Sequence, residues 1–232
     1  MIVGERKPFE EIWNRVKELK SVLILGCGSC VTVCQAGGEK EVGLLASELR
    51  MKSKLAGKSI NIGEFTIERQ CDREFFISVK DKTAEYEAVL SMACGAGVQF
   101  CAEILEPIPA IPALNTRFIG ITEREGTWSE RCRACGNCVL ADYGGLCPMT
   151  ICAKGLLNGP CGGSKNGKCE ASQDRDCAWV LIYNRLKKQN KLDNLKLVSG
   201  VINKDYTKQA HPGRMINEAC LKPELEDLNA KQ

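Results

Sequence analysis

Ser21-Val22-Leu23-Ile24-Leu25-Gly26 is a short apolar run closed by a glycine. A strand with one solvated face alternates apolar and polar residues. An unbroken run such as Val22 to Leu25 fits a strand buried on both faces, as in a parallel sheet flanked by helices. The flanking sequence agrees. Upstream, residues 8–20 place Phe9, Ile12, Trp13, Val16 and Leu19 at helical spacing. Downstream, residues 27–38 form a turn rich in glycine and cysteine. Residues 39–52 then read as a helix with Val42, Leu44, Leu45, Leu49 and Met51 as its apolar positions.

Two further strands are predicted, one within 59–70 and one over Ala88–Met92. Residues 74–79 read equally as a short strand or a loop. A helix follows from about Gly97 to Ile104. The proline-bearing segment 107–121, with Pro107, Pro109 and Pro112, reads as a loop leading to a short extended piece. Residues 1–122 thus alternate strand, loop and helix, which predicts an α/β domain built on a small, open, mostly parallel sheet. In such sheets ligands collect beyond the carboxyl ends of the strands. Three predicted strand ends carry cysteine: Cys27, Cys71 and Cys94.

After residue 122 the character changes. Residues 123–190 form a cysteine-rich stretch with little regular structure expected before the helical pattern of 178–186. From Cys132 to Cys177 there is little periodic apolar material, so the expectation is that bound metal organises this domain. Residues 191–232 are polar and charged and read as a C-terminal arm.

The chain of 232 residues holds 15 cysteines and a single histidine, His211. The N-terminal sequence has acids early and no apolar stretch of secretory length, and no run is long enough to span a membrane. The expected location is the cytoplasm, where thiols stay reduced and clustered cysteines bind metal rather than pair. One histidine excludes sites that need two or three. Sites of thiolate sulfur alone favour zinc or iron–sulfur clusters. The formal net charge of +3 is too small and scattered for nucleic acid. It also counts every cysteine as neutral, whereas one four-thiolate [4Fe–4S] cluster carries roughly −2.

Cys132-x2-Cys135-x2-Cys138 is the strongest motif. Two-residue gaps turn the backbone around a metal, and with Cys147-Pro148 the run resembles the bacterial ferredoxin pattern. Eight residues separate Cys138 from Cys147, where ferredoxin has three, so the fourth ligand stays open. Cys152, Cys161, Cys169 and Cys177 complete a set of eight, the number two four-thiolate sites require. One cluster plus one structural zinc is the alternative. Gly159-Pro160-Cys161-Gly162-Gly163 reads as a tight loop offering a thiolate and backbone N–H groups to an inorganic core.

Near the N-terminus, Cys27, Cys30 and Cys34 lie within eight residues, and Cys71 or Cys94 would supply a fourth ligand. Iron–sulfur and zinc are both open here. Gly26-Cys27-Gly28 is like the start of a dinucleotide fingerprint, but Val31 takes the place of the third glycine. Cys101 reads as a buried structural thiol, Cys220 as an unliganded one, and His211 as a surface residue. Glu64, Glu68, Asp72 and Glu74 flank Cys71, yet nothing pairs them for acid–base work, and no catalytic residue is identified. Trp179 and Tyr183 read as packing.

The run Arg131-Cys132-Arg133-Ala134-Cys135-Gly136-Asn137-Cys138, then Gly145-Leu146-Cys147-Pro148, Gly159-Pro160-Cys161-Gly162-Gly163, Gly167-Lys168-Cys169-Glu170 and Asp176-Cys177-Ala178-Trp179, resembles a known family. It is similar to the small, MetV-type iron–sulfur/zinc subunit of methylenetetrahydrofolate reductase in acetogenic bacteria. The likeness is close over about 125–190 and extends to Cys27, Cys30 and Cys34. It implies a partner: a flavin-containing catalytic subunit that reduces methylenetetrahydrofolate in the one-carbon (Wood–Ljungdahl) pathway. It also implies that this chain passes electrons from ferredoxin or another donor to that flavin. The implied cofactors are two or three [4Fe–4S] clusters, with zinc the alternative at one site.

Two rival classes stand beside this expectation. One is a zinc-bound assembly module without a redox role. The other is an enzyme using an open iron position at Cys27, Cys30 and Cys34.

Overall fold

The computed structural model describes residues 1–197, 204–205, 207 and 213–215. In chain order the strands are β1 (Ile2–Arg6), β2 (Ser21–Cys27), β3 (Asn61–Ile67), β4 (Ala88–Met92), β5 (Ala110–Pro112), β6 (Leu114–Arg124), β7 (Thr127–Cys132), β8 (Lys168–Cys169) and β9 (Ser172–Asp176). The helices are α1 (Phe9–Val16), α2 (Cys30–Val33), α3 (Glu39–Leu55), α4 (Lys80–Thr83), α5 (Gly95–Ile104), α6 (Pro148–Ile151), α7 (Ala178–Lys188) and α8 (Asp193–Leu197).

The fold is α/β, as expected. A parallel four-stranded sheet runs in the order β3-β2-β4-β5, with β2 at its centre. The unbroken apolar run of β2 follows from its two covered faces. Val22 and Ile24 join a core with Ile12, Trp13 and Val16 of α1 and Val42, Leu45 and Leu49 of α3. Leu23 and Leu25, pointing the other way, pack with Ile67, Val89, Cys101 and Leu105 on the α5 side. Burying each such side chain contributes roughly 1.5–3 kcal/mol, and helix α3 exists to cover one of these faces. Its buried stripe is Val42, Leu45, Ala46 and Leu49. Leu44 and Met51, expected in that stripe, are instead 53% and 59% exposed. They fall outside the i, i+3, i+4, i+7 set that faces the sheet.

A second sheet departs from expectation. β1, β6 and β7 form an antiparallel sheet in the order β1-β6-β7, with Ile2 opposite Ile119 and Ile119 opposite Cys132. Residues 114–124 are thus a long strand rather than a loop with a short extended piece. The β6–β7 hairpin also runs across the expected domain boundary at 122. Its residues are mixed and largely exposed or half-exposed, so alternation is weak and the pairing is set by distant partners. Residues Arg73–Phe76 form a 3-10 turn rather than a strand; the Asp72 carboxylate accepts from the Glu74 amide at 3.4 Å.

The cysteine-rich part has little regular structure beyond the short α6, β8 and β9, and its loops pack on the helix expected over 178–186. Val139, Tyr143, Cys152, Cys177, Ala178, Trp179, Ile182 and Leu186 are buried together. Tyr143 sits edge-on to Trp179, with ring centroids 5.4 Å apart, and its hydroxyl donates to the Leu157 carbonyl at 2.9 Å. Helix α7 supplies the platform, and the loop residues that cover it have no period because they come from turns. Beyond α8, little of the expected arm is described, and His211 and Cys220 lie outside the described residues. Among the described residues no helix is long and apolar enough to cross a membrane.

Candidate functional site

Parallel strands bring three cysteines to one edge. β2 ends at Cys27, opposite Ile67 of β3, and its Gly26 is opposite Met92 of β4. Cys71 follows Ile67 by four residues, and Cys94 follows Met92 by two and stands at the N-terminus of α5. Cys30 opens α2 directly after the β2 turn. The β3 loop is tied down by the fully buried Gln70. Its amide donates to the carbonyls of Leu25 (2.7 Å) and Gly26 (3.1 Å), and its oxygen accepts from the Ser91 hydroxyl (2.6 Å). Protein packed around the Cys71 sulfur, and then the thiols of Cys94, Cys27 and Cys30, push its pKa up. The Cys71 thiol therefore lies within electrostatic reach of Cys94, Cys27 and Cys30.

The loop 27–38 is held by backbone contacts that need its glycines. The Cys27 amide donates to the Gly37 carbonyl at 2.9 Å, and the Gly28 amide to the Ile67 carbonyl at 2.8 Å. The Thr32 hydroxyl donates to the Cys27 carbonyl at 2.8 Å. A Cβ on Gly37 would stand 2.0 Å from the Met92 carbonyl oxygen, so only glycine allows the loop to close on β4.

Cys34 lies deeper than the thiols at the edge, with Cys30 still within electrostatic reach of it. It is buried between β1 and α2, accepts from the Gly4 amide at 3.3 Å, and lies 3.5 Å from the Val31 carbonyl and 3.6 Å from that of Gly4. Burial raises its pKa. Its position links the second sheet to the loop carrying Cys27 and Cys30.

A cavity of about 410 Å³ beside Gly28 is lined by Gly28, Val42, Thr66 and the carboxylates of Glu39, Glu64 and Glu68. Glu64 pairs with Arg50 at 2.6 Å and Glu68 with Arg69 at 3.2 Å. Glu64 and Glu68 are thus charge-paired at the surface.

In the second half, β7 delivers Cys132 at its end. Ala134 and Gly136, the residues next to Cys135, take positive φ (51° and 78°), and the Ala134 amide donates to the Cys132 sulfur at 3.3 Å. These bends wrap the chain around the C-x2-C-x2-C loop. Cys147 precedes α6 and accepts from the Thr150 hydroxyl at 3.3 Å. Cys152 and Cys177 are buried in the α7 core, Cys161 is exposed between left-handed Gly159 and Gly162, and Cys169 lies in β8. Lys154 and Glu170 pair across this region.

Sequence reasoning missed Lys204. It is only 5% exposed, and its ammonium donates to the Cys135 sulfur at 2.6 Å and to the Asn137 carbonyl at 2.8 Å. The ammonium lowers the Cys135 pKa. A lysine 69 residues from its partner in a polar stretch carries no local signal. Cys101 is the buried thiol expected, with burial pushing its pKa up to about 12. Trp179 packs in the core, whereas Tyr183 is 47% exposed.

Among the described residues, no group of three or more His, Cys, Asp or Glu side chains lies close enough as it stands to hold a metal ion. The donor chemistry still fits a thiolate-bound group. Where cysteines gather, the atoms offered are sulfurs and amide N–H donors, and these suit zinc or an iron–sulfur core.

No curated protein and no solved structure matches the chain. Residues 111–206, less than half of the 232, match the model of a family described as methylene-tetrahydrofolate reductase C terminal, and this part of the chain is related to that family.

Proposed function

We propose that the chain is an electron-transfer subunit that serves a methylenetetrahydrofolate reductase through cysteine-bound iron–sulfur clusters. The observation that carries this reading is the placement of Cys27, Cys71 and Cys94 at or just beyond the carboxyl ends of three parallel strands, with Cys30 in the loop after the first. Those four residues are the ligand set of the N-terminal centre, with Cys34 outside it. Cys132, Cys135, Cys138, Cys147, Cys152, Cys161, Cys169 and Cys177 hold two further centres. Bound there, [4Fe–4S] clusters accept and release single electrons. The chain's own residues position the sulfurs: Gln70 fixes the β3 loop, Gly37 and Thr32 fix the β2 loop, and α7 with Tyr143 fixes the cysteine-rich loops.

The relation of residues 111–206 to the reductase family supports a flavin-containing reductase subunit as partner. Ferredoxin or another low-potential carrier is the proposed donor. Zinc at the N-terminal centre is a specific second reading, because Cys27-x2-Cys30 with two remote thiols is also a zinc arrangement.

Anaerobic iron, zinc and acid-labile sulfide per chain test this. About 8 to 12 iron with matching sulfide is expected for two or three cubane clusters. About 8 iron with one zinc assigns zinc to one centre. Zinc without iron overturns electron transfer and leaves an assembly module.

A further inference from the structure

Lys204 is the one charged residue in the buried polar set of the described residues; the others are Ser53, Gln70, Thr83 and Ser91. An ammonium removed from water is unfavourable unless an anion and hydrogen-bond acceptors meet it. Its partners are a sulfur and a carbonyl, both inside the Cys132–Cys138 loop: Cys135 Sγ at 2.6 Å and the Asn137 carbonyl at 2.8 Å. No carboxylate is among these two contacts. A neutral thiol gives little compensation at such a site, whereas a thiolate carrying the charge of a bound centre gives much more. The segment that supplies Lys204 lies well past the last cysteine of the domain, Cys177, yet it returns to this sulfur.

We propose that Lys204 is a positioning and charge-setting residue for the centre held by Cys132, Cys135 and Cys138, making that centre easier to reduce. The inference rests on the iron–sulfur reading above. Reduction adds one electron from the external donor and makes no bond, so the centre becomes more negative by one charge. A cation hydrogen-bonded to a ligand sulfur stabilises that state more than the oxidised one. Removing the cation is expected to lower the reduction equilibrium constant about tenfold, or about 59 mV for one electron.

The test uses the full chain purified without oxygen. Iron and sulfide content are measured first, followed by a redox titration monitored by low-temperature EPR, for the unaltered chain and Lys204→Met, Lys204→Gln and Lys204→Arg. The expected result is unchanged iron, one midpoint shifted to lower potential by about that amount in the Met and Gln variants, and little shift in the Arg variant. If Lys204→Met does not load, Lys204→Gln is read in its place. Iron lost from both neutral variants but kept in Lys204→Arg also supports a charge requirement. Unchanged midpoints at unchanged iron overturn the Lys204 inference alone, as does iron lost from all three variants. An unaltered chain without iron or sulfide overturns the electron-transfer reading, and this inference with it.

Discussion

The Ser91 hydroxyl donates a 2.6 Å hydrogen bond to the side-chain oxygen of Gln70, in a spot where both residues are fully buried. Ser91 is on β4, while the Gln70 amide also donates to the carbonyls of Leu25 and Gly26 on β2. One carboxamide thus ties the loop before Cys71 to both neighbouring strands. Gln70→Ala is expected to destabilise the fold by about 2–3 kcal/mol, since it leaves buried polar groups without a partner. Ser91→Ala should cost about 1 kcal/mol. Urea unfolding midpoints check both values. Equal midpoints for the Gln70 variant and the unaltered chain would remove the clamp from the account of the site.

The burial of Cys34 beside β1 gives a second expectation. Cys34→Ala should retain the N-terminal metal and lose only packing and the contact with the Gly4 amide, about 1 kcal/mol. Cys71→Ser and Cys94→Ser should each lower metal per chain by one centre. Metal analysis of the three variants decides it. Metal lost with Cys34→Ala and kept with Cys71→Ser would reverse the ligand set.

Gly37 is a steric test of the same loop. A methyl group there meets the Met92 carbonyl at 2.0 Å, and that contact is backbone, which cannot swing aside as a flexible side chain can. Gly37→Ala should cost more than about 3 kcal/mol, above the usual range for an overpacked site. It should also loosen the turn between Cys27 and Cys30, which hydrogen exchange of the Cys27 amide would report. A stable variant with a protected Cys27 amide would refute the argument.

Cys101 sets an alkaline limit on stability. Burial favours its protonated form and raises its pKa from an ordinary 9.0 to about 12. The unfolded chain therefore loses that proton first as pH rises. The stabilisation is complete below pH 9 and fades towards pH 12, by up to about 4 kcal/mol. Cys101→Ala should flatten this part of the stability curve while costing about 1 kcal/mol at pH 7 from the small cavity. Denaturation midpoints at pH 8, 9 and 10 compare the two proteins. Parallel curves would show that Cys101 does not titrate in this window.

Much of the architecture was legible because it rests on local pattern. The apolar run Val22–Leu25 announces a strand covered on both faces, and the helical spacing in 39–52 announces its cover. Cysteines at predicted strand ends announce thiols at the carboxyl edge, because parallel strands place all those ends together. Other features depend on residues far apart in sequence. The sheet β1-β6-β7 is a pairing of Ile2 with Ile119 that neither segment signals alone. The burial of Cys34 beside β1 is decided by its contact with Gly4. The burial of Lys204 against Cys135 comes from a return of the chain over 69 residues. Spacing in the sequence supplied the thiols and the strands that carry them. Only the packing of distant segments decided how deeply each thiol is buried and which cation meets Cys135, because those choices depend on long-range contacts that no local period encodes.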